Sequence, residues 1–196
     1  MHSRRKLKGR NTAISWENRV AADGIIDRII VRGARSDPSH GLLVAGPLTV
    51  PCALGRSGVT RHKREGDGAT PAGRLRLISC HYRPDRISRP ATRLPTAPIS
   101  RLDGWCDDPA DRSYNRPVRL PYPAGHEVLW RQDILYDVIV VLDWNLLNPR
   151  PGVGSAIFFH LAAPGMTPTA GCIAVTLPTM RKILALSGPE TYFDVS

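Results

Sequence analysis

Two residues near the end of the 196-residue chain have the types that acyl-transfer chemistry needs. Cys172 lies in TPTAGCIAV (167–175), directly after Gly171 and before the β-favouring Ile173 and Val175. A thiol held just past a tight glycine turn has two advantages. The backbone N–H groups of Gly171 and Cys172 can face a developing oxyanion. The missing side chain at Gly171 lets an amide come close. A nucleophilic thiol also needs a base, or a cation that lowers its pKa. His160 follows the apolar run AIFF and is the nearest candidate. Taken alone the pair is weak, because a histidine at a strand end and a cysteine before a strand are more often structural.

The elements that must position this pair are mostly strands. SAIFFHLA (155–162) and CIAVT (172–176) read as strands on either side of a turn at Pro164-Gly165. YDVIVVLDW (136–144) is apolar almost throughout and reads as a buried strand. IIDRIIVR (25–32) is β-branched, and LLVAG (42–46) with LTVPCALG (48–55) predicts a hairpin around a Gly-Pro turn. RLRLISCHY (74–82) alternates, with Leu75, Leu77 and Ser79 on one face and Arg74, Arg76, Ile78 and Cys80 on the other. TYFDV (191–195) closes as a strand. PTMRKILALSG (178–188) is the best helix, opened by Pro178 and stopped at Gly188-Pro189, and GHEVLWRQD (125–133) predicts a second short one. The fold class is mainly β, a sandwich or barrel with one or two short helices, because no regular β-α-β alternation is present. The proline-rich stretch 83–125 lacks periodicity, and a segment of that length in a compact domain is usually functional.

FFHLAAPGMTPTAGCIAV resembles the active-site signature of the L,D-transpeptidase catalytic domains, the YkuD-like family. RHKREGDGATPAGRLRL (61–77) is similar to that family's upstream stretch, through Asp67, Thr70, Pro71, Gly73 and Leu75. GWCDDPADRSYN (104–115) resembles a small-protein branch of it. The resemblance covers roughly 25–177, and two ordered motifs about a hundred residues apart are more specific than either alone. It implies that Cys172 is the nucleophile, that His160 is its base and later proton donor, and that peptidoglycan stem peptides are the partners. Gly171 and Cys172 would supply the oxyanion N–H groups, and Thr169, Asp67 and Thr70 would meet substrate. No cofactor and no metal are implied. The sequence departs from the family pattern at three points. Ala170 stands where many members have histidine, Ala174 where many have Arg or Asn, and the loop from His160 to Cys172 is short. Two alternatives stay open: an L,D-carboxypeptidase or endopeptidase on the same substrates, and a non-catalytic module that binds wall polymer.

The remaining candidates have plainer readings. Asp107, Asp108 and Asp111 form an acidic surface loop rather than a metal site. Trp105, Tyr114 and Tyr122 anchor loops. Arg61, Lys63, Arg64, Arg74 and Arg76 could contact the anionic parts of a stem peptide, but a solvated basic face is the favoured reading. Cys52, Cys80 and Cys106 read as buried thiols, and four cysteines without CxxC spacing fit neither a zinc site nor a disulfide framework. The net charge of +10 favours polyanions, but the basic residues lack the aromatic interleaving of a nucleic-acid surface, so no nucleic acid is expected. Residues 1–24 read as a basic, disordered leader and 25–196 as the catalytic domain. No run is apolar enough to span a membrane, and the leader lacks the apolar core of an export signal. The family implies a periplasmic or envelope location, whereas the leader taken literally reads as cytoplasmic.

Overall fold

Alternate residues of the apolar run at 138–142 serve two different cores. Val138, Val140 and Leu142 enter one, Ile139 and Val141 the other. The segment is therefore apolar throughout because both of its faces are covered. The structure, a computed structural model, describes residues 24–196, so the leader call lies almost wholly outside the described residues. In chain order the strands are β1 (Arg28–Gly33), β2 (His40–Ala45), β3 (Leu48–Ala53), β4 (Val59–Thr60), β5 (Thr70–Pro71), β6 (Gly73–Tyr82) and β7 (Thr96–Pro98). They continue as β8 (Asp103–Cys106), β9 (Arg116–Arg119), β10 (His126–Val128), β11 (Val138–Leu142), β12 (Phe158–Leu161), β13 (Ile173–Val175) and, after helix α1 (Leu177–Ala185), β14 (Tyr192–Val195).

Eight strands close on themselves in the order β11-β12-β13-β3-β2-β1-β14-β6, with β6 pairing back to β11 and β7 lying beside it. The ten-residue β6 closes the ring because its first half pairs with β14 and its second half with β11. The mainly β barrel expected from the sequence is thus present. Its interior takes Ile29, Val31, Leu43, Leu75, Phe159, Ile173 and Phe193. Helix α1 adds Met180, Ile183 and Leu184 to this core, all fully buried. Each is worth about 1.5–3 kcal/mol of burial. Pro178 opens the helix, and the Ser187 hydroxyl satisfies the Ile183 carbonyl near its end at 2.7 Å.

A second layer, the three-stranded sheet β10-β8-β9, covers the outside of β11 and β12. Trp105 packs edge-on against Phe158 with ring centres 5.2 Å apart. The proline-rich stretch 83–125 is therefore the source of β7, β8 and β9 rather than an open loop. Trp105 and Tyr114 are buried anchors, as expected of them, and Cys52, Cys80 and Cys106 are fully buried.

Three expectations are corrected. Residues 125–133 form no helix: His126–Val128 pair with Cys106, Trp105 and Gly104 of β8. A nine-residue helix is marginal alone, and cross-strand pairing outweighs its propensity. The faces of 74–82 change half-way. The register slips where Val141 pairs with Ser79 but Leu142 with Leu77, so a bulge at Ile78 turns Cys80 into the barrel core. Lys63 leaves the basic face entirely and is buried, while Arg61, Arg64, Arg74 and Arg76 are exposed as expected. Among the described residues no helix is long and apolar enough to cross a membrane.

Candidate active site

β12 and β13 run parallel, with Phe159 opposite Ile173, His160 opposite Ala174 and Leu161 opposite Val175. Phe159, Leu161, Ile173 and Val175 enter the barrel. By the two-residue period, Phe158, His160, Cys172 and Ala174 face outward. Cys172 and His160 thus share one face of adjacent strands, and both line a cavity of about 350 Å³. Between them the chain makes a single 3-10 turn, Pro164–Met166, with Gly165 at φ 76°.

The turn before the cysteine is built on Thr169. Its hydroxyl accepts the Gly171 N–H at 3.1 Å and donates to the Cys172 carbonyl at 2.8 Å. The Gly171 N–H, expected at an oxyanion, is turned onto this hydroxyl instead. Gly171 has φ +141°, and a Cβ there would stand 2.8 Å from the Ala69 carbonyl oxygen. Only glycine fits. Thr70 is fully buried; its hydroxyl accepts the Gly55 N–H at 2.8 Å and donates to the Cys172 carbonyl at 3.4 Å. Asp67 accepts the Arg64 and Ala69 N–H groups at 2.8 and 2.9 Å and pairs with the Lys63 ammonium. Thr169 lines the cavity; Asp67 and Thr70 do not, and they brace the loops beneath the thiol.

The thiol is almost enclosed, at 8% exposure. It donates to the Ala156 carbonyl and accepts the Phe158 N–H, each at 3.3 Å. Burial pushes its pKa up to about 12, against a lowering by the Phe158 N–H and the Lys63 charge. The imidazole of His160 is also buried, and burial pulls its pKa down to about 4. His160 Nδ1 lies 2.8 Å from the Leu161 carbonyl, which can only accept. Nδ1 therefore carries the proton and Nε2 is the basic nitrogen. Without a ligand the site holds a neutral thiol and a neutral imidazole.

A family model described as YkuD, L,D-transpeptidase catalytic domain, matches residues 43–191. That span is three quarters of the chain. The chain belongs to the L,D-transpeptidase catalytic domain family. Membership carries that family's general catalytic activity on peptidoglycan. No curated protein and no solved structure gives a match.

Against this family pattern the rest of the cavity is informative. Ala174, where many L,D-transpeptidases have Arg or Asn, is fully buried beside His160. Charge comes instead from other residues: sequence reasoning missed four of them and gave Asp107 and Lys63 surface readings. Glu65, Asp107 and Glu127 bring carboxylates to the cavity, and Arg56, Lys63 and Arg131 bring cations. Burial raises the pKa of Glu127 and of Asp107, with neighbouring carboxylates adding to it. Asp107 thus parts from Asp108 and Asp111, whose carboxylates accept the Ala110 and Ser113 N–H groups at 2.9 and 2.7 Å. Tyr136 stacks edge-on against His160 at 5.5 Å and donates to Glu127 at 2.6 Å.

Asn115 holds this wall together. Its Oδ1 accepts the Trp105 indole N–H and the Ala156 N–H, both at 3.0 Å. Its amide donates to the Trp144 and Asn145 carbonyls at 3.1 and 2.8 Å. Ala156 sits at φ +50°, a conformation that costs a non-glycine residue about 1–3 kcal/mol. Asn115 thereby fixes the carbonyl that accepts the thiol's hydrogen bond. The sequence signals for this hub were the GWCDDPADRSYN stretch, which holds Trp105 and ends on Asn115, and asparagine's tolerance of a φ of +56°.

Proposed function

We propose that this chain catalyses cysteine-dependent acyl transfer on peptidoglycan stem peptides, with Cys172 as nucleophile and His160 as proton carrier. The observation that carries the reading is the imidazole geometry. Its Nδ1–H is bound to the Leu161 carbonyl, which leaves Nε2 basic in the cavity that Cys172 lines. Burial holds both groups neutral at rest, so ionisation is coupled to arrival of the substrate. His160 takes the thiol proton as Sγ attacks an L-to-D amide carbonyl. The Phe158 N–H, already bound to Sγ at 3.3 Å, supports the charge as it forms. The leaving amine takes the proton back from the imidazolium, and an acyl-enzyme remains. An amine of a second stem releases it; water in that role gives a carboxypeptidase or endopeptidase. Such a substrate lies outside the inner membrane, and the envelope is the proposed site of action.

The test is turnover of a tetrapeptide stem by wild type and by Cys172→Ala, with products resolved with and without an added amine. Loss of all turnover in Cys172→Ala and a new amide in the presence of amine are expected. Full activity in Cys172→Ala would contradict the reading.

A further inference from the structure

Lys63 is a buried ammonium with a route to the thiol made by two glycines. The residue is 7% exposed, which is rare for a lysine, and Asp67 supplies its counter-charge. A Cβ on Gly154, at φ +99°, would stand 3.0 Å from both Cγ and Cε of Lys63. A Cβ on Gly171 would stand 3.4 Å from Nζ. The aliphatic stem therefore passes over one bare glycine and the ammonium reaches the other, next to Cys172. An ammonium has three hydrogens. Among the described residues its hydrogen-bond acceptor is Asp67 Oδ1, so donors remain for a ligand in the cavity.

We propose that Lys63 is the electrostatic catalyst of this site: its ammonium stabilises the negative charge that forms on Sγ of Cys172 and passes to the carbonyl oxygen under attack. This rests on the reading of Cys172 as nucleophile. Three observations single it out as the charged group at the oxyanion, beside the Cys172 N–H. The Gly171 N–H is bound to Thr169 and is not free for an oxyanion. Ala170 and Ala174 carry no charge. Of the other two cations lining the cavity, Arg131 is paired with Asp133 at 2.6 Å, and Arg56 lies against Gly68 with its guanidinium reaching the Gly66 carbonyl.

In the acylation step the thiol proton passes to His160 Nε2, Sγ bonds to the carbonyl carbon, and the carbonyl π pair moves to oxygen. Lys63 donates a hydrogen bond to that oxygen and keeps its proton. The C=O bond then reforms, the C–N bond breaks, and the amine leaves with the proton from the imidazolium. The groups facing the thiol oppose or balance one another. Lys63 draws the thiol pKa down and Glu127 pushes it up. Tyr136 and His160 line the same cavity uncharged, with Glu65, Asp107, Arg56 and Arg131.

The experiment is the pH profile of Cys172 alkylation by iodoacetamide in the full chain, read on the Cys172 peptide, beside acyl-enzyme formation from a tetrapeptide stem. Lys63→Met is expected to raise the apparent thiol pKa by about one unit and slow alkylation about tenfold near neutrality. Its acylation kcat falls about 100-fold with KM little changed. Asp67→Asn removes the counter-charge and is expected to shift the profile the opposite way. Loss of packing alone would move both variants in the same direction, so shifts of one sign, or a Lys63→Met profile equal to wild type, overturn the proposal. Failure of wild type to form any acyl-enzyme overturns the function itself; an unshifted profile with acyl-enzyme intact overturns only the role of Lys63.

Discussion

His160 and Ala174 stand opposite each other on adjacent parallel strands. The position where many relatives carry Arg or Asn is filled here by a fully buried methyl group, packed with Ala53 and Ala162. Restoring an arginine there does not restore a family feature. Ala174→Arg overpacks the pair and buries a charge beside the imidazole, at a cost of about 1–3 kcal/mol or more. Thermal unfolding should fall by several degrees and acyl transfer should drop with it. An Arg variant as stable and as active as wild type would show that its side chain escapes into the cavity that Ala174 lines.

Gly171→Ala tests the turn. The added Cβ meets the Ala69 carbonyl oxygen at 2.8 Å in a backbone conformation that L-residues rarely adopt. We expect acyl transfer to fall by at least about 100-fold, since a shift of the thiol by a fraction of an ångström misaligns the attack. The check is kcat/KM beside a thermal melt: activity should fall further than stability.

Asn115 makes four buried hydrogen bonds, so its truncation strands four groups. Asn115→Ala should destabilise the fold by at least about 2–3 kcal/mol, given about 1–3 kcal/mol for each buried group left unpaired. Asn115→Asp keeps the acceptor for Trp105 and Ala156 but sets a buried carboxylate oxygen against the Trp144 and Asn145 carbonyls, and should destabilise at least as much as Ala. Denaturant titration of wild type, Asp and Ala checks both losses.

The depressed pKa of His160 has a signed consequence. Its ordinary value of 6.5 falls to about 4 on folding because the site is buried. The unfolded chain then binds the proton more readily than the folded one. The stability His160 contributes is present above pH 6.5 and is lost as pH falls from there to about 4. The total is on the order of 3 kcal/mol. His160→Gln should flatten that part of the curve, and the difference between the two stability–pH curves isolates it from the carboxylates.

Much of the candidate site's placement was legible because it rests on local sequence. Cys172 after Gly171, His160 at the end of AIFF, and the helix opened by Pro178 needed only short-range pattern. What escaped depends on contacts across the fold. Glu127 lies in a segment with helical spacing, but its pairing with Trp105 draws it into a sheet edge and so into the cavity. The bulge that buries Cys80 is a property of the β6–β11 register, invisible in the alternation of 74–82. Lys63 reads as one of several surface cations; only the gap left by Gly154 and Gly171 brings it inside. Asp67 and Thr70 were recognised by motif, yet their hydrogen bonds run to loop backbone and to Lys63, which no spacing rule reports.

The central claim is that Cys172 becomes acylated. Intact mass of the protein after brief exposure to a tetrapeptide stem, or to an acylating carbapenem, tests it most directly. The account predicts one adduct per chain, mapped to the Cys172 peptide, abolished in Cys172→Ser and slowed about 100-fold or more in His160→Gln. An unmodified protein under conditions where the stem binds, or an adduct that persists in Cys172→Ser, would contradict it.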